Sequence, residues 1–360
     1  MNHPLEIMDD SSVESGERDG LVTHIVAVQG MLQYGLELFY TTDRIARVEN
    51  LSTNIDRFNT KFGIQPVTAC MLYEDLQKTN VDDARINQPD DTTLKFFLLS
   101  LHYLRKYPTE DILESTFDYS PRYISRMLWQ YVERIQALKA EKIVWPDGLN
   151  DQDLWVLSVD GTHCWIKEPS HPEFSQDKKK YSHKLNKAGK SYELGIALNG
   201  GLIWMNGAFD AGENDITIFR KPNGLKDRLE LLGKKAIGDL GYRGEPKYVS
   251  FPNPNDCKGV ALFKSRALKR HENFNCMTKV FEILAGRFRH GEDKFGKAFE
   301  AVCVLCQYKL ENELPLYDVL IAAVVNAADN NDSESTSSAK SNSTIDDDIL
   351  ELAGTEEDEL

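Results

Sequence analysis

Residues 154–161 read LWVLSVDG, and residues 236–241 read AIGDLG. Each is a short run of apolar and β-branched residues, which is typical of a buried β-strand. Each run then meets an aspartate followed by Gly or Leu-Gly, and these are Asp160 and Asp239. A strand buried on both faces has no reason to end in an acid unless that acid faces a site, and α/β folds bind ligands at the ends of central strands. We therefore predict that Asp160 and Asp239 lie on adjacent strands and share one site.

The segments that follow complete an α/β pattern. YELGIALNG at residues 192–200 and GLIWMNGAFDAG at residues 201–212 read as two strands joined by a turn at Gly200-Gly201. A basic amphipathic helix is predicted over residues 267–291, and an apolar helix over residues 297–312. Strands followed by helices that cover them indicate a mixed sheet with flanking helices.

The residues before the first strand read as helical instead. TTLKFFLLSLHYLRKYP at residues 92–108 predicts a helix closed by Pro108, Thr109 caps a short helix, and Ser120-Pro121 starts a longer one. Apolar residues recur along that longer helix at spacings of three and four, whereas Arg122 and Arg126 lie off the apolar stripe. A short helix, a tight turn and a helix with exposed arginines match a helix-turn-helix at about residues 92–140. An ordinary helical hairpin fits the same pattern.

The net charge of −15 and the pI of about 5.1 would by themselves argue against a nucleic-acid partner. However, the acidity lies in two tails. Residues 1–20 hold six acids and one base, and residues 329–360 hold eleven acids and one base, which leaves forty of each sign between them. The predicted organisation is therefore an acidic disordered N-terminus (1–20), a helical domain (21–147), an α/β domain (148–328) and an acidic disordered tail (329–360). Because the predicted folded part carries no net charge, the acidic pI of the whole chain does not exclude a nucleic-acid partner.

Other classes of protein fit poorly. No stretch approaches the roughly 18 uninterrupted apolar residues of a membrane span, so we expect no membrane partner. The acidic first residues do not resemble a signal peptide. Six cysteines in 360 residues are too sparse for a disulfide scaffold, and Cys303 and Cys306 lie on an apolar helical face, where we expect core residues rather than zinc ligands.

A third acid, Glu272, lies in the predicted basic helix. Converging carboxylates suit a hard divalent cation such as Mg²⁺ or Mn²⁺, and two such ions could activate a water and stabilise the leaving oxygen of a phosphodiester. Basic sequence surrounds these acids: residues 178–190 carry six lysines and no acid, and residues 258–297 carry ten bases against four acids. This combination favours a phosphate-backbone substrate. Each of these features also has an ordinary explanation. The two aspartates can belong to turns, and Glu272 and the lysines can be solvated surface charges.

The same segments resemble a known family. Seven segments, which together span about residues 155–313, are similar to DDE-type transposases of the Harbinger/PIF-like group, also called DDE superfamily endonucleases. They are SVDGTHCWIKEP, YSHK, SYELGIALNGGLIWMNGAF, NDITIFR, IGDLGYRG, RHENFNCMTKVFEILAGRFRHG and FEAVCVLCQYKLEN. This resemblance implies an RNase-H-like catalytic fold preceded by a helix-turn-helix. The chain departs from the family after Glu272, where Cys276-Met277-Thr278 replaces a Gly-Arg-Leu-like segment.

The resemblance also implies roles for individual residues. It makes Asp160, Asp239 and Glu272 the catalytic, metal-binding acids, with Asp215 in a supporting position. Glu282, ten residues after Glu272, is a rival third carboxylate. The predicted DNA contacts are Arg122, Arg126, Lys178, Lys179, Lys180, Lys184 and Lys279, the last seven residues after Glu272.

These observations predict a metal-dependent DNA endonuclease and strand-transferase that cuts at the ends of a mobile element. Two other readings stay open: a transposase-derived DNA-binding protein without catalysis, and an RNase-H-like nuclease acting on RNA or hybrids, although the latter does not need a helix-turn-helix. We further predict a homo-oligomer on DNA, an accessory DNA-binding protein as a possible partner, and a location in the nucleus.

Overall fold

The computed structural model describes residues 11–41, 45, 50–78, 91–146, 153–168 and 178–319. The predicted tail at 329–360 and the first ten residues lie outside these ranges. The helices are α1 (Ser11–Glu37), α2 (Leu51–Phe62), α3 (Pro66–Lys78), α4 (Asp91–Lys106), α5 (Glu110–Phe117), α6 (Pro121–Ala137), α7 (Lys139–Lys142), α8 (Asp215–Phe219), α9 (Leu225–Leu232), α10 (Lys258–Lys279), α11 (Glu282–Ala285) and α12 (Glu292–Asn312). The strands are β1 (Trp155–Trp165), β2 (Tyr181–Ser182), β3 (Lys187–Ala197), β4 (Leu202–Asp210), β5 (Lys235–Ile237) and β6 (Val249–Ser250). The predicted boundary at residue 20 falls inside α1.

The N-terminal part is helical, as the sequence predicts. α4 ends before Pro108, α5 follows Thr109, and α6 begins at Pro121 after Ser120. The apolar stripe of α6 is fully buried at Ile124, Leu128, Tyr131, Ile135 and Leu138. A three-residue turn joins α5 to α6, with Asp118 in the left-handed conformation at φ 56°. The two helices are present where the helix-turn-helix is predicted, and their binding to DNA stays a prediction.

Six strands form one mixed sheet in the order β2-β3-β1-β5-β6, with β4 also paired to β3. β1 runs antiparallel to β3 and parallel to β5, and β3 and β4 form the predicted hairpin through Gly200, whose φ is 104°. β1 is longer than expected. It does not end at Asp160 but continues to Trp165, because Thr162–Trp165 keep their pairing with β3 after β5 has ended at Ile237.

The core joins the helical part to the sheet. One hydrophobic cluster contains residues of α4 and α6, the β1–β3 face that bears Leu194 and Ile196, and nearly the whole buried length of α12. Gln136 and Lys139 also donate to Glu300 of α12, at 2.8 and 2.9 Å. The helical segment and the α/β segment therefore differ in secondary structure but share one hydrophobic core. This shared core fixes the position of α6 relative to the sheet.

The helices after the sheet differ in extent from the prediction. α10 begins at Lys258 and ends at Lys279, and α11 is a separate turn that starts at Glu282, so the helix expected over residues 267–291 is broken. Phe281 and Ile283 are both fully buried at this break. Cys303 and Cys306 are buried core residues on α12, as expected. No helix within the described ranges combines the length and the apolar character that crossing a membrane requires.

Candidate active site

Asp160 lies at the point where β1 loses its parallel neighbour. Ser158 pairs with Ile237, the last residue of β5, and Asp160 and Asp239 each follow this pair by two positions. Because alternate residues of a strand face the same side of a sheet, Asp160 faces the side covered by α10, as Ser158 does. The strands β1 and β5 are neighbours in the sheet, with Asp160 inside β1 and Asp239 two residues after β5, at the start of a 3-10 turn.

Both carboxylates are anchored by backbone amides. Oδ1 of Asp160 accepts a hydrogen bond from Gly161 N at 2.8 Å. Oδ1 of Asp239 accepts from Gly241 N, also at 2.8 Å, and so caps the 3-10 turn Leu240–Tyr242 that follows β5. The short motif Asp-Leu-Gly therefore fixes the orientation of its own carboxylate, and the second oxygen of Asp239 accepts no hydrogen bond within the described part of the chain.

Asp215 brings a third carboxylate to the same place. It is the first residue of α8, and its Oδ1 lies only 2.2 Å from the position that a Cβ atom on Gly161 would take. The position of a Cβ on Gly241 lies 2.8 Å from Oδ1 of Asp239 and 3.6 Å from Oδ2 of Asp215. The two glycines thus leave room for Asp215 to approach both strand-end aspartates.

From α10, the side chain that reaches Asp160 is Asn275. Its Nδ2 donates to Oδ2 of Asp160 at 3.1 Å, and its own Oδ1 is buried without a hydrogen-bond partner. One turn earlier, the fully buried His271 contacts Ser158 Oγ through Nδ1 at 3.1 Å. Glu272 lies on the same helix but is exposed, and it makes no hydrogen bond or ion pair with the aspartates in the described structure. The convergence of Glu272 with the other two acids stays a prediction.

Glu282, the rival third acid, points elsewhere. Its carboxylate pairs with Lys106 of α4 at 3.4 Å and with Arg105 at 3.9 Å. These ion pairs hold α11 to the helical part of the molecule, so Glu282 does not take the place of Glu272 among the aspartates.

The site carries excess negative charge. Burial raises the pKa of Asp160 to about 6, and the carboxylates of Asp215 and Asp239 add to this rise against the opposing effect of Lys184. Burial likewise raises the pKa of Asp215, and Asp239 adds to it. Lys184 is the nearby cation: its Nζ lies 3.7 Å from Oδ2 of Asp215 and 3.4 Å from the carbonyl oxygen of Gly161. One half-exposed ammonium facing three carboxylates leaves a site that would gain from a bound cation.

A fourth acid lies beneath the site. Glu193 on β3 is opposite Gly161 and 1% exposed, and burial raises its pKa to about 8. Its Oε2 accepts from Trp204 Nε1 at 3.0 Å, while Oε1 and the nearby hydroxyl of Tyr242 are buried without partners. Glu193 is therefore protonated at neutral pH, and it adds no charge to the aspartates above it.

The lysines predicted to contact DNA have mostly internal partners. Lys180 pairs with Glu292, and Lys184 pairs with Asp215. Lys279 is turned inward, with Nζ 2.6 Å from the carbonyl oxygen of His163 and 2.8 Å from Cys164 Sγ. Lys178 and Lys179 are exposed on the 3-10 turn before β2, and Arg122 and Arg126 are exposed on α6.

The donor set suits a hard divalent cation even though no closed metal cage is formed. In the ranges the structure describes, no group of three or more His, Cys, Asp or Glu side chains is arranged to hold a metal ion. Mg²⁺ commonly binds through one or two carboxylates, several waters and substrate phosphate oxygens. Asp160 and Asp239 supply two carboxylates of this kind, each two residues past the Ser158–Ile237 pair of neighbouring strands.

The comparison with known families agrees with this geometry. Residues 159–307 match the family model of the DDE superfamily endonuclease. The match covers 149 of the 360 residues and includes all the acids described above, whereas α1–α7 lie outside it. No curated protein and no solved structure matched the chain. The similarity supports a transposase-like nuclease class for the α/β segment, and the Harbinger/PIF-like subgroup stays a prediction.

Sequence reasoning missed two residues of the site, and each left a signal. Asn275 follows His271 by four positions, so polar residues occupy the helix face that an amphipathic pattern reserves for apolar ones. Glu193 interrupts the otherwise apolar strand YELGIAL, where a solvated acid has no place.

Proposed function

We propose that this chain is a metal-dependent DNA endonuclease of the transposase type. The observation that carries the proposal is the placement of Asp160 and Asp239, each two residues past the Ser158–Ile237 pair of the parallel strands β1 and β5. Asp215 approaches the same point, and the DDE superfamily endonuclease family matches the segment that holds all three.

Each of these residues has a distinct task in the proposal. Asp160 and Asp239 would hold Mg²⁺ or Mn²⁺, with Glu272 as the predicted third carboxylate. Such an ion activates water and stabilises the leaving oxygen when a phosphodiester is cut. Asn275 and Gly161 hold the Asp160 carboxylate in one orientation through its two oxygens. The raised pKa of Asp160 makes its ionised, ligand-competent form dominant only above about pH 6.

Strand transfer is the second half of the proposed activity. A 3′-OH released by cleavage could attack target DNA in the same site, since both steps displace an oxygen from phosphorus. The exposed arginines of α6, Arg122 and Arg126, are proposed to bind DNA outside this site. We also propose that the chain acts on DNA as a homo-oligomer, with an accessory DNA-binding protein, in the nucleus.

A nicking assay tests the proposal. Full-length protein should nick supercoiled plasmid, or DNA with the element's ends, with Mg²⁺ or Mn²⁺ but not with Ca²⁺ or EDTA. Asp160→Asn keeps the size of the side chain and can keep both hydrogen bonds, because the amide of Asn275 can turn to offer its oxygen. It should therefore bind DNA normally and cut none.

Asp153→Asn is the matched control, because Asp153 is exposed and precedes the same strand. Cleavage by Asp160→Asn at the wild-type rate would refute the mechanism. DNA binding by the wild type without any metal-dependent cleavage would favour the alternative of a transposase-derived DNA-binding protein.

A further inference from the structure

The far end of β1 carries a cluster of cations around one tryptophan. Nζ of Lys187 lies 3.9 Å from the ring centre of Trp165, and Cζ of Arg287 lies 5.9 Å from it. Ile166 N donates to Ala188 O at 3.1 Å, which brings the next residues on the two strands, Lys167 and Lys187, to neighbouring positions. We name these four residues, Trp165, Lys167, Lys187 and Arg287, the Trp165 patch.

The patch carries three positive charges. In the described part of the chain, no carboxylate forms an ion pair with Lys167, Lys187 or Arg287, and all three cations are exposed. This contrasts with Lys180 and Lys190 nearby, which pair with Glu292. Like charges at neighbouring positions on two strands destabilise a sheet. Among the described residues, no carboxylate offsets this repulsion.

The backbone of the patch is firmly held. Phe288 N donates to the carbonyl oxygen of Trp165 at 2.9 Å, and Lys167 N donates to the carbonyl oxygen of Phe288 at 3.1 Å. These bonds seat the residues around Arg287 beside the end of β1, and Phe288 is buried beneath them. The cations are thus presented from a rigid base rather than from a loose loop.

We infer that the Trp165 patch binds the phosphate backbone of duplex DNA. This inference rests on the proposed nuclease function and adds to it the surface that holds the substrate beside the cut. Lys187 lies close over the Trp165 ring, so the ring serves as a platform for the cations rather than as a free face for stacking a base. Lys167, Lys187 and Arg287 then meet phosphates, which is the interaction that dominates non-specific DNA affinity.

The patch lies on the same strand as Asp160 but on the other face of the sheet. Trp165 is five residues beyond Asp160 on the same strand, which is roughly 16 Å at about 3.3 Å per residue. Duplex DNA rises about 3.4 Å per base pair. Because Trp165 and Asp160 are an odd number of residues apart, the patch would hold phosphates on the flank of the site, about five base pairs along, rather than at the point of cleavage.

The test is the salt dependence of DNA binding by the full-length chain. Dissociation constants for a fluorescein-labelled duplex of random sequence are measured in Ca²⁺ between about 50 and 200 mM salt. Each lost phosphate contact lowers the slope of log Kd against log salt by about 0.9, so Lys167→Gln with Lys187→Gln should lower it by about 1.8. The matched control, Arg228→Gln with Lys247→Gln, removes two exposed cations elsewhere and should leave the slope unchanged.

The outcomes separate the two proposals. A drop confined to the patch variant, with unaltered circular dichroism, supports the inference. An unchanged slope in the patch variant, or an equal drop in the control, overturns it while metal-dependent nicking by the wild type still upholds the nuclease. A wild-type chain that neither binds nor cuts DNA overturns both.

Discussion

Asp160 should weaken the folded state near neutral pH. Burial and the neighbouring carboxylates raise its pKa from 3.8 to about 6. Folding therefore favours the protonated form, and the stability contributed by this residue falls as the pH rises from about 4 to about 6 and stays low above that. A rise of about 2 units corresponds to roughly 3 kcal/mol, at 1.36 kcal/mol per unit.

The substitution Asp160→Asn removes this cost because the amide carries no charge. We expect the variant to be more stable than the wild type by roughly 3 kcal/mol at pH 8 and by about 1 kcal/mol at pH 4.5, where the wild-type carboxyl is largely protonated. The measurement is the free energy of unfolding from urea titrations at both pH values without divalent metal.

The control is Asp153→Asn, which should change the free energy of unfolding by less than about 0.5 kcal/mol, as expected for an exposed site. A variant at Asp160 that is less stable than the wild type at pH 8 would refute the reasoning, as would a stability difference that is equal at both pH values. Mg²⁺ should stabilise the wild type and not the variant, since only the wild type keeps both ligands.

Three further predictions concern single contacts. Asn275→Ala should lower the affinity for Mn²⁺ about tenfold, because one oxygen of Asp160 loses its hydrogen-bond donor. Mn²⁺ titrations followed by electron paramagnetic resonance check this, and Asn273→Ala, at an exposed neighbouring position, should behave as the wild type. Gly161→Ala should displace Asp215, whose carboxylate occupies the space of the new methyl group, and should destabilise the chain by about 1–3 kcal/mol in urea titrations. Replacing both exposed arginines of α6 by alanine should lower the salt slope of DNA binding by about 2, and an unchanged slope would leave α5 and α6 as an ordinary helical hairpin.

Much of the fold was predictable because its signals are local. Apolar spacing along α6 and the strand patterns around Asp160 and Asp239 each depend on a few consecutive residues. Thr109 and Ser120 occupy the N-cap positions of α5 and α6, so the helix boundaries agree with the prediction, although neither side chain makes the expected capping hydrogen bond. The shared core of α6 and α12 was not predictable, because it depends on contacts between segments more than 150 residues apart in the chain.

The residues of the candidate site also divide into those that local sequence reveals and those that depend on tertiary packing. Asp160 and Asp239 could be found because each follows an apolar strand, and the parallel pairing of β1 with β5 then brings them together. The sequence predicts that β1 ends at Asp160, but the strand continues to Trp165. This continuation is stabilised by pairing with β3 rather than by the local sequence of β1. Asn275 is an unremarkable residue until the rotation of α10 on the sheet is known, and that rotation depends on tertiary packing.

The location of a bound metal ion tests the central claim most directly. Crystals of the full-length chain grown with Mn²⁺ should give an anomalous scattering peak about 2.1 Å from a carboxylate oxygen of both Asp160 and Asp239. The same map would show whether Glu272 or Asn275 supplies the ligand from α10. A well-ordered site with Mn²⁺ bound elsewhere, and none between these two aspartates, would contradict the account.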